Sequence, residues 1–243
     1  LYIMNQTTLV VDAGNTSIKL GIFHNHHLHE VVRFSLDQLG EMKTFLLEHR
    51  FSSTVFSSVL SEKNTKWIAQ LLDHPVRFSS AMEFPFENMY ESIETLGADR
   101  LANVVAAQAM VKGSALIIDI GTCIKFDIIS EDRIYLGGSI SPGIQLRYKA
   151  LHSFTGNLPL LDTTSTAFVI GNSTVSCMES GVMQGIQGEL NHFVSYYQLK
   201  YRGLTIFVTG GDAHYFDFQS KNNTFVEPNL TLYGLFYSIH QNR

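Results

Sequence analysis

Short apolar runs alternate along the chain with amphipathic stretches in which apolar residues recur every three or four positions. Runs rich in β-branched residues predict strands, and the longer spacing predicts helices. The predicted strands are residues 8–13, 18–23, 30–34, 54–58, 115–120, 124–129, 133–140 and 204–208. The predicted helices are residues 37–48, 62–72, 99–111, 174–197 and 230–240, whereas residues 76–94 show no regular pattern. Strands interleaved with helices predict an α/β fold, and the hairpins at 8–23 and 115–129 predict mixed sheets.

The beginning of the chain is repeated near its middle. Residues 9–14 read Leu-Val-Val-Asp-Ala-Gly and residues 116–121 read Leu-Ile-Ile-Asp-Ile-Gly, and each segment is soon followed by Ile-Lys. The period of 107 residues is a little under half the chain, whereas solenoid repeats have periods of about 20–50 residues. We therefore predict two similar lobes, residues 1–112 and residues 113–243.

Composition narrows the class of protein. The 243 residues are 45% hydrophobic and 16% charged, which excludes a disordered chain. The formal net charge of −5 argues against nucleic acid as the main ligand. Apolar runs are too short to cross a membrane, and residues 1–5 do not resemble the start of a signal peptide. With only Cys123 and Cys177, the simplest expectation is a reduced, cytoplasmic protein.

Three glycine turns carry the candidate chemistry. Asp12 and Asp119 each lie at the end of an apolar strand, and Gly14 and Gly121 follow two residues later. Glycine lets backbone N–H groups approach a phosphate, and the carboxylate can hold a cation. Polar side chains follow at Thr16, Lys19 and Thr122, and the third turn is Thr-Gly-Gly at 209–211. One such turn is common in any protein, but three together predict a site for a nucleoside triphosphate and its metal.

These turns resemble those of the superfamily of acetate and sugar kinases, Hsp70 and actin. Over nearly its whole length the chain is more closely similar to the type III pantothenate kinases. The matching segments are 12–16 (Asp-Ala-Gly-Asn-Thr), 96–103 (Leu-Gly-Ala-Asp-Arg-Leu-Ala-Asn), 119–122, 137–143, 158–159, 170–174, 180–181, 209–212, 229–232 and 234–235. The resemblance implies two similar lobes of ribonuclease H-like (actin-like ATPase) fold, with mixed sheets flanked by helices.

The resemblance also implies an activity: transfer of the γ-phosphoryl group of ATP to the primary hydroxyl of pantothenate, the first step of coenzyme A biosynthesis. Asp99 matches the general base of the family. A carboxylate at the start of a helix and beside Arg100 is expected to stay ionised and to accept the hydroxyl proton.

Further site residues follow from the same resemblance. The expected ATP-binding residues are Asp12, Ala13, Gly14, Asn15, Thr16, Ser17, Ile18, Lys19, Thr122, Gly210 and Gly211. The expected pantothenate-binding residues are Tyr90, Gly97, Ala98, Asp99, Arg100 and Thr174. Asp119 matches the ligand of a monovalent cation, K⁺ or NH₄⁺, and Mg²⁺ is expected with ATP. The family resemblance implies a homodimer with a shared active site.

One departure from the family bears on the monovalent cation. The family usually has Gly-Thr-Ala-Thr-Thr after the second aspartate, whereas residues 121–125 read Gly-Thr-Cys-Ile-Lys. We hypothesise that the ammonium of Lys125 takes the place of the cation at Asp119. The alternatives are that Lys125 projects into solvent or pairs with Asp127 on the same strand.

Two other functions are consistent with parts of the pattern. A kinase or phosphohydrolase for another small substrate in the same superfamily would have a different base segment from residues 97–100. A non-catalytic regulator would have lost Asp12, Asp99 or Asp119, and one that bound nucleic acid would also need a basic stripe.

Overall fold

The computed structural model describes residues 6–162, 169–218 and 223–240. The strands are β1 (Thr7–Ala13), β2 (Ser17–His24), β3 (His27–Ser35), β4 (Ser53–Ser58), β5 (Val76–Arg77), β6 (Glu87–Asn88), β7 (Ala115–Ile120), β8 (Cys123–Ile129), β9 (Ile134–Pro142), β10 (Thr205–Thr209) and β11 (Thr224–Val226). The α-helices are α1 (Leu39–Glu48), α2 (Glu62–Leu71), α3 (Ala98–Met110), α4 (Ile144–Ser153), α5 (Thr174–Lys200) and α6 (Leu230–His240). Single turns of 3₁₀ helix lie at Ile93–Thr95 and Ala213–Tyr215.

A five-stranded mixed sheet forms the centre of the first unit, which contains residues 6–85, 90–110 and 229–240. Its order is β3-β2-β1-β4-β5, with β1, β2 and β3 antiparallel and β4 and β5 parallel to β1. Leu9 and Val11 of β1 share a buried cluster with Met42 of α1 and Ile68 of α2. Helix α6 packs on β1 and β4 and against α3. The alternation of β1 therefore buries both faces of the sheet.

The second unit contains residues 86–89 and the described part of 111–228. Its sheet has the order β11-β10-β7-β8-β9-β6. Strands β7, β8 and β9 are antiparallel, and β10 is parallel to β7. Helices α4 and α5 bury Tyr148 and Ile186 in one cluster with Ile118 and Phe126 of the sheet. The strand order β9-β8-β7-β10-β11 in this sheet repeats the order β3-β2-β1-β4-β5 of the first sheet. The predicted pair of similar α/β lobes is therefore confirmed.

The structure divides the chain differently from the prediction at two places. Residues 229–240 belong to the first unit, although the sequence prediction put them in 113–243. The reason is close packing of α6 on α3, where a Cβ atom on Gly234 would lie 1.8 Å from the Ala102 carbonyl oxygen. Residues 86–89 join the second unit because β6 pairs with β9. Residues 1–5 and 241–243, at the outer ends of the two predicted lobes, lie outside the described residues.

Helix α5 is the longest, with 27 residues. Its buried positions include Met178, Val182, Ile186 and Leu190 at helical spacing, whereas Val175 and Leu199 are exposed. No helix in the described ranges combines the length and the apolar character needed to cross a membrane.

Two buried tyrosines of the second unit differ in their hydroxyl environment. The Tyr135 hydroxyl donates to Asp127 Oδ1 at 2.6 Å, and both residues are buried. The Tyr148 hydroxyl is buried without a hydrogen-bond partner among the described residues. Burial, with a smaller effect from the charge of Glu179, raises the pKa of Tyr148 to about 12. The second hydroxyl is desolvated without compensation.

This contrast predicts opposite effects of the same substitution. Tyr148→Phe is expected to leave the free energy of unfolding unchanged or to raise it by about 1 kcal/mol, because it removes an uncompensated polar group. Tyr135→Phe is expected to lower it by about 1–3 kcal/mol, because the Asp127 carboxyl loses a buried donor. Urea unfolding of the two variants measures both values. A loss in Tyr148→Phe as large as that in Tyr135→Phe would contradict the prediction.

Candidate active site

The first glycine turn lies between β1 and β2 in the first unit. Asp12 is paired with Lys19 across the two antiparallel strands, and the Gly14 N–H donates to the Ser17 carbonyl at 3.0 Å. Asn15 and Thr16 are exposed at the tip. The turn therefore presents polar groups beyond the edge of a rigid sheet, which is the arrangement a phosphate site needs.

Two of the eight residues expected to bind ATP at this turn face the core. The side chains of Ala13 and Ile18 are buried in the cluster formed with α1 and α2. Any contact that Ala13 or Ile18 makes with a nucleotide must come from the backbone.

The candidate base lies in the first turn of α3. Asp99 Oδ1 accepts a hydrogen bond from the Arg100 backbone N–H at 2.9 Å. A Cβ atom on Gly97 would lie 2.6 Å from the same oxygen, so a larger residue there would displace the carboxylate from this position. The helix N-terminus stabilises the ionised form of Asp99. Gly97 thus allows the carboxylate of the candidate base its observed position.

Arg100 links the base segment to Tyr90. Its side chain is 4% exposed, and Nη1 donates to the Tyr90 hydroxyl at 3.2 Å. The guanidinium carbon also lies 5.2 Å from the centroid of the Tyr90 ring. A hydrogen bond and a cation–π contact together fix the tyrosine. The structure therefore brings Tyr90 next to the base segment formed by Gly97, Asp99 and Arg100.

Helix α6 packs against α3, the helix that carries Asp99. Asn103 of α3 is buried, and its Oδ1 accepts a hydrogen bond from the Thr231 hydroxyl at 2.9 Å. One turn further along α6, Gly234 lies against the backbone of Ala102. These contacts fix the position of α3 and therefore the position of Asp99.

The second Asp-Gly turn, in the second unit, contains an ion pair. Asp119 of β7 and Lys125 of β8 are cross-strand partners, and Lys125 Nζ donates to Asp119 Oδ2 at 2.7 Å. Their side chains are 15% and 17% exposed, respectively. The alternative in which Lys125 projects into solvent is therefore wrong.

The tip of this turn packs on the end of β9. The Gly143 N–H donates to the Thr122 carbonyl at 3.0 Å, and a Cβ atom on Gly143 would lie 2.0 Å from the Gly121 carbonyl oxygen. Glycine at 143 is needed for this close approach. The Thr122 side chain is left exposed at the turn, as a nucleotide contact requires.

The third turn follows β10. Gly210 has φ +96°, and a Cβ atom there would lie 2.2 Å from the Ile120 carbonyl oxygen, so this position needs glycine for two reasons. Gly211 is exposed, with open space where a side chain would be. Burial raises the pKa of Asp212, and the nearby His214 partly offsets this. Gly210 shapes the turn, and Gly211 provides the accessible backbone.

Thr174 lies in the second unit at the start of α5, next to the N-cap Ser173, whose side chain forms a capping box with Ser176. Thr174 lines a cavity of about 1200 Å³ between α4 and α5. The expected pantothenate residues are therefore divided: Thr174 belongs to the second unit, whereas Tyr90 and Asp99 belong to the first.

The sequence prediction missed Arg147, which also lines this cavity. Its Nε donates to the Pro142 carbonyl at 2.8 Å, and its Nη2 pairs with Glu189 Oε2. Arg147 lies on α4, a helix absent from the prediction. Ile144 and Tyr148, four residues apart after Pro-Gly, were the available signal for that helix.

The sequence model of the family described as type III pantothenate kinase matches residues 8–196. A type III pantothenate kinase from Christiangramia forsetii is 39% identical over 244 aligned positions, which cover 97% of this chain and 98% of the relative.

Two solved structures share the fold. One, from Campylobacter jejuni and named for the Baf family of transcriptional activators, has a TM-score of 0.64 at 23% identity and covers 96% of this chain and 98% of its own. The other, a polyphosphate/ATP-glucomannokinase from an Arthrobacter strain, has a TM-score of 0.51 at 15% identity and covers 98% of this chain and all of its own. At these identities the two structures support the fold alone, which is that of the sugar kinases.

Proposed function

Because the chain belongs to the type III pantothenate kinase family, we propose that it transfers the γ-phosphoryl group of ATP to the primary hydroxyl of pantothenate, a step of coenzyme A biosynthesis. The observation that carries the proposal is the geometry around Asp99, a carboxylate at a helix N-terminus that Gly97 accommodates and the Arg100 N–H orients. The resemblance to the family implies that this segment distinguishes it from other kinases of the superfamily.

Asp99 acts as the base. As the hydroxyl oxygen of pantothenate forms its bond to the γ-phosphorus, the bond from that phosphorus to the bridging oxygen breaks and ADP leaves. The hydroxyl proton passes to the Asp99 carboxylate. Phosphoryl transfer depends mainly on positioning and charge stabilisation, so a carboxylate of ordinary basicity is sufficient.

Tyr90, Gly97, Ala98 and Arg100 hold pantothenate beside the base. The buried Arg100 guanidinium fixes the Tyr90 hydroxyl and ring, so the tyrosine is already oriented before substrate binds. We assign Thr174 a contact to pantothenate as well. The cavity that Thr174 lines has the exposed apolar side chain of Phe154, 88% exposed, on its wall.

The glycine turns hold ATP. We assign the nucleotide contacts to residues 12–19, Thr122, Gly210 and Gly211. The fit is supported by the exposed Asn15 and Thr16 and by the open space beside Gly211, where a backbone N–H is accessible to a ligand.

Mg²⁺ bound with ATP would neutralise negative charge on the phosphates. No group of three His, Cys, Asp or Glu side chains suited to a metal occurs within the described ranges. Mg²⁺ usually keeps several waters and takes one or two carboxylates together with substrate phosphates. Asp12, at the end of β1, is the carboxylate we assign to it.

The remaining assignments concern the setting of the enzyme. We propose a cytoplasmic homodimer with a shared active site and with no nucleic acid or membrane partner. The homodimer follows from the family resemblance, and Phe154 and Ile170, which are 88% and 87% exposed, are apolar side chains that we assign to its contact. The net charge of −5 agrees with the absence of a nucleic-acid partner.

ADP release by the purified chain tests the activity. With ATP and Mg²⁺ we expect ADP to form only when pantothenate is added, with one phosphopantothenate per ADP by mass spectrometry. Pantothenate in which hydrogen replaces the primary hydroxyl is the matched control, and it should give no ADP. ADP release that does not need pantothenate would instead favour a phosphohydrolase, and release with another small alcohol would favour a different kinase.

A further inference from the structure

The cation position at the second Asp-Gly turn is already filled by the chain itself. We propose that the Lys125 ammonium serves there as a built-in monovalent cation, so that phosphoryl transfer needs no added K⁺ or NH₄⁺; this inference rests on the proposed function. The residues present therefore do not fit the free cation that the family resemblance implies at Asp119.

The pairing of the strands makes this contact. Asp119 and Lys125 are direct partners in the antiparallel pair of β7 and β8, so their side chains lie on the same face of the sheet. Nζ lies 2.7 Å from Oδ2, within the range of a charge-assisted hydrogen bond. Because the sheet fixes both backbones, the ammonium is held without any segment having to close.

A second cation at this carboxylate would be repelled. Like charges a few ångströms apart repel strongly where the surroundings are less polar than water. The pair is only 15–17% exposed, so water screens this repulsion little. The Lys125 ammonium has the charge of K⁺ and, like NH₄⁺, donates hydrogen bonds. Because it belongs to the chain, it is present whatever salt is added.

The first unit has the same pairing. Lys19 lies directly across the strands from Asp12, as Lys125 lies across from Asp119. Each glycine turn of the repeat therefore begins with an aspartate that has a lysine as its cross-strand partner.

Salt substitution on the wild-type protein is the first test. We measure pantothenate-dependent kcat/KM in KCl, NH₄Cl and choline chloride at one ionic strength, together with the melting temperature in each salt without substrates. The values of kcat/KM should agree within about twofold, and the melting temperature should not be specifically raised by K⁺. A tenfold dependence on K⁺, or a saturable K⁺-specific rise in melting temperature, would overturn the proposal.

Lys125→Thr opens the position to a free cation. In choline its kcat/KM should fall about tenfold or more, and K⁺ or NH₄⁺ should restore most of the loss, because a charge near the phosphates has been removed and replaced. Its melting temperature should rise by about 2–4 °C with K⁺. The double variant Asp119→Asn, Lys125→Thr should lose that rise. Full activity of Lys125→Thr in choline would overturn the proposal.

The matched control is Lys66→Thr, which removes a lysine whose 2.8 Å pair with Glu62 is exposed. It should behave as wild type in all three salts. If no protein shows pantothenate-dependent turnover in any salt, the proposed function fails. The melting temperatures still decide whether Lys125 excludes a cation from Asp119.

Discussion

Asp99→Asn is expected to lower kcat for pantothenate phosphorylation by about 10²- to 10⁴-fold, the usual contribution of a positioned base. The amide has the shape of the carboxylate, and its oxygen can still accept the hydrogen bond that the Arg100 N–H donates to Oδ1. The variant therefore keeps the local structure and loses the ability to take the hydroxyl proton. Steady-state ADP release gives kcat and KM, and thermal unfolding checks the fold.

A matched variant distinguishes the loss of the base at Asp99 from the loss of any nearby negative charge. Glu94 is an exposed carboxylate in the 3₁₀ turn that precedes α3, and Glu94→Gln removes the same charge close by in sequence. We expect Glu94→Gln to keep kcat within about twofold of wild type, because surface charges are strongly screened. Equal losses in the two variants would show that Asp99 does not act as the base.

Gly234→Ala is expected to lower the free energy of unfolding by about 3 kcal/mol or more, at the upper end of the cost of overpacking. The added methyl would lie 1.8 Å from the Ala102 carbonyl oxygen and 2.4 Å from its carbonyl carbon. Both atoms are backbone atoms of α3, so relief requires the two helices to separate. Thermal unfolding measures the loss, for which we expect a decrease of roughly 6–12 °C.

Gly188→Ala is the control for this substitution. Gly188 is an exposed position of α5 with no atom near the place of a new Cβ. There alanine should raise the stability by up to about 1 kcal/mol, because it has the higher helix propensity. Equal destabilisation of both variants would mean that the approach of α6 to α3 is less close than described.

The sequence predicted best the elements that follow from local pattern. Strand β7 and helix α6 have the predicted bounds, residues 115–120 and 230–240. The first is a short, continuous apolar run, and the second is rich in apolar residues after Asn229. The same reasoning placed α2 and α3 within one residue at either end, since helical periodicity is a strong signal over ten or more residues.

Elements that depend on distant partners were missed. Strands β5 and β6 have two residues each and β11 has three, and each forms only where another strand offers a free edge. Helix α4 buries only Ile144 and Tyr148, too few positions to give a clear period. The packing partner of α6 also could not be predicted, because an apolar helix face does not specify which sheet it covers.

The candidate site shows the same division. The repeated Asp-Gly turns could be recognised in the sequence because phosphate binding favours those residue types at that spacing. The contact of Lys125 with Asp119 was one of three alternatives. The register of β7 and β8 selects it. In contrast, the Arg100 contact to Tyr90 joins residues whose intervening segment had no regular pattern, so only the folded chain reveals it.

The return of α6 to the first unit affects the order in which the chain is completed on the ribosome. At about 5–20 residues per second, the 118 residues from 111 to 228 take roughly 6–24 s to synthesise. Throughout that interval the faces of α3 and β1 that α6 will cover have no helix upon them. All strands of the second unit are synthesised before α6, the last helix of the first unit. We therefore expect nascent chains to leave this apolar surface uncovered during the interval, where chaperones or other nascent chains can bind it.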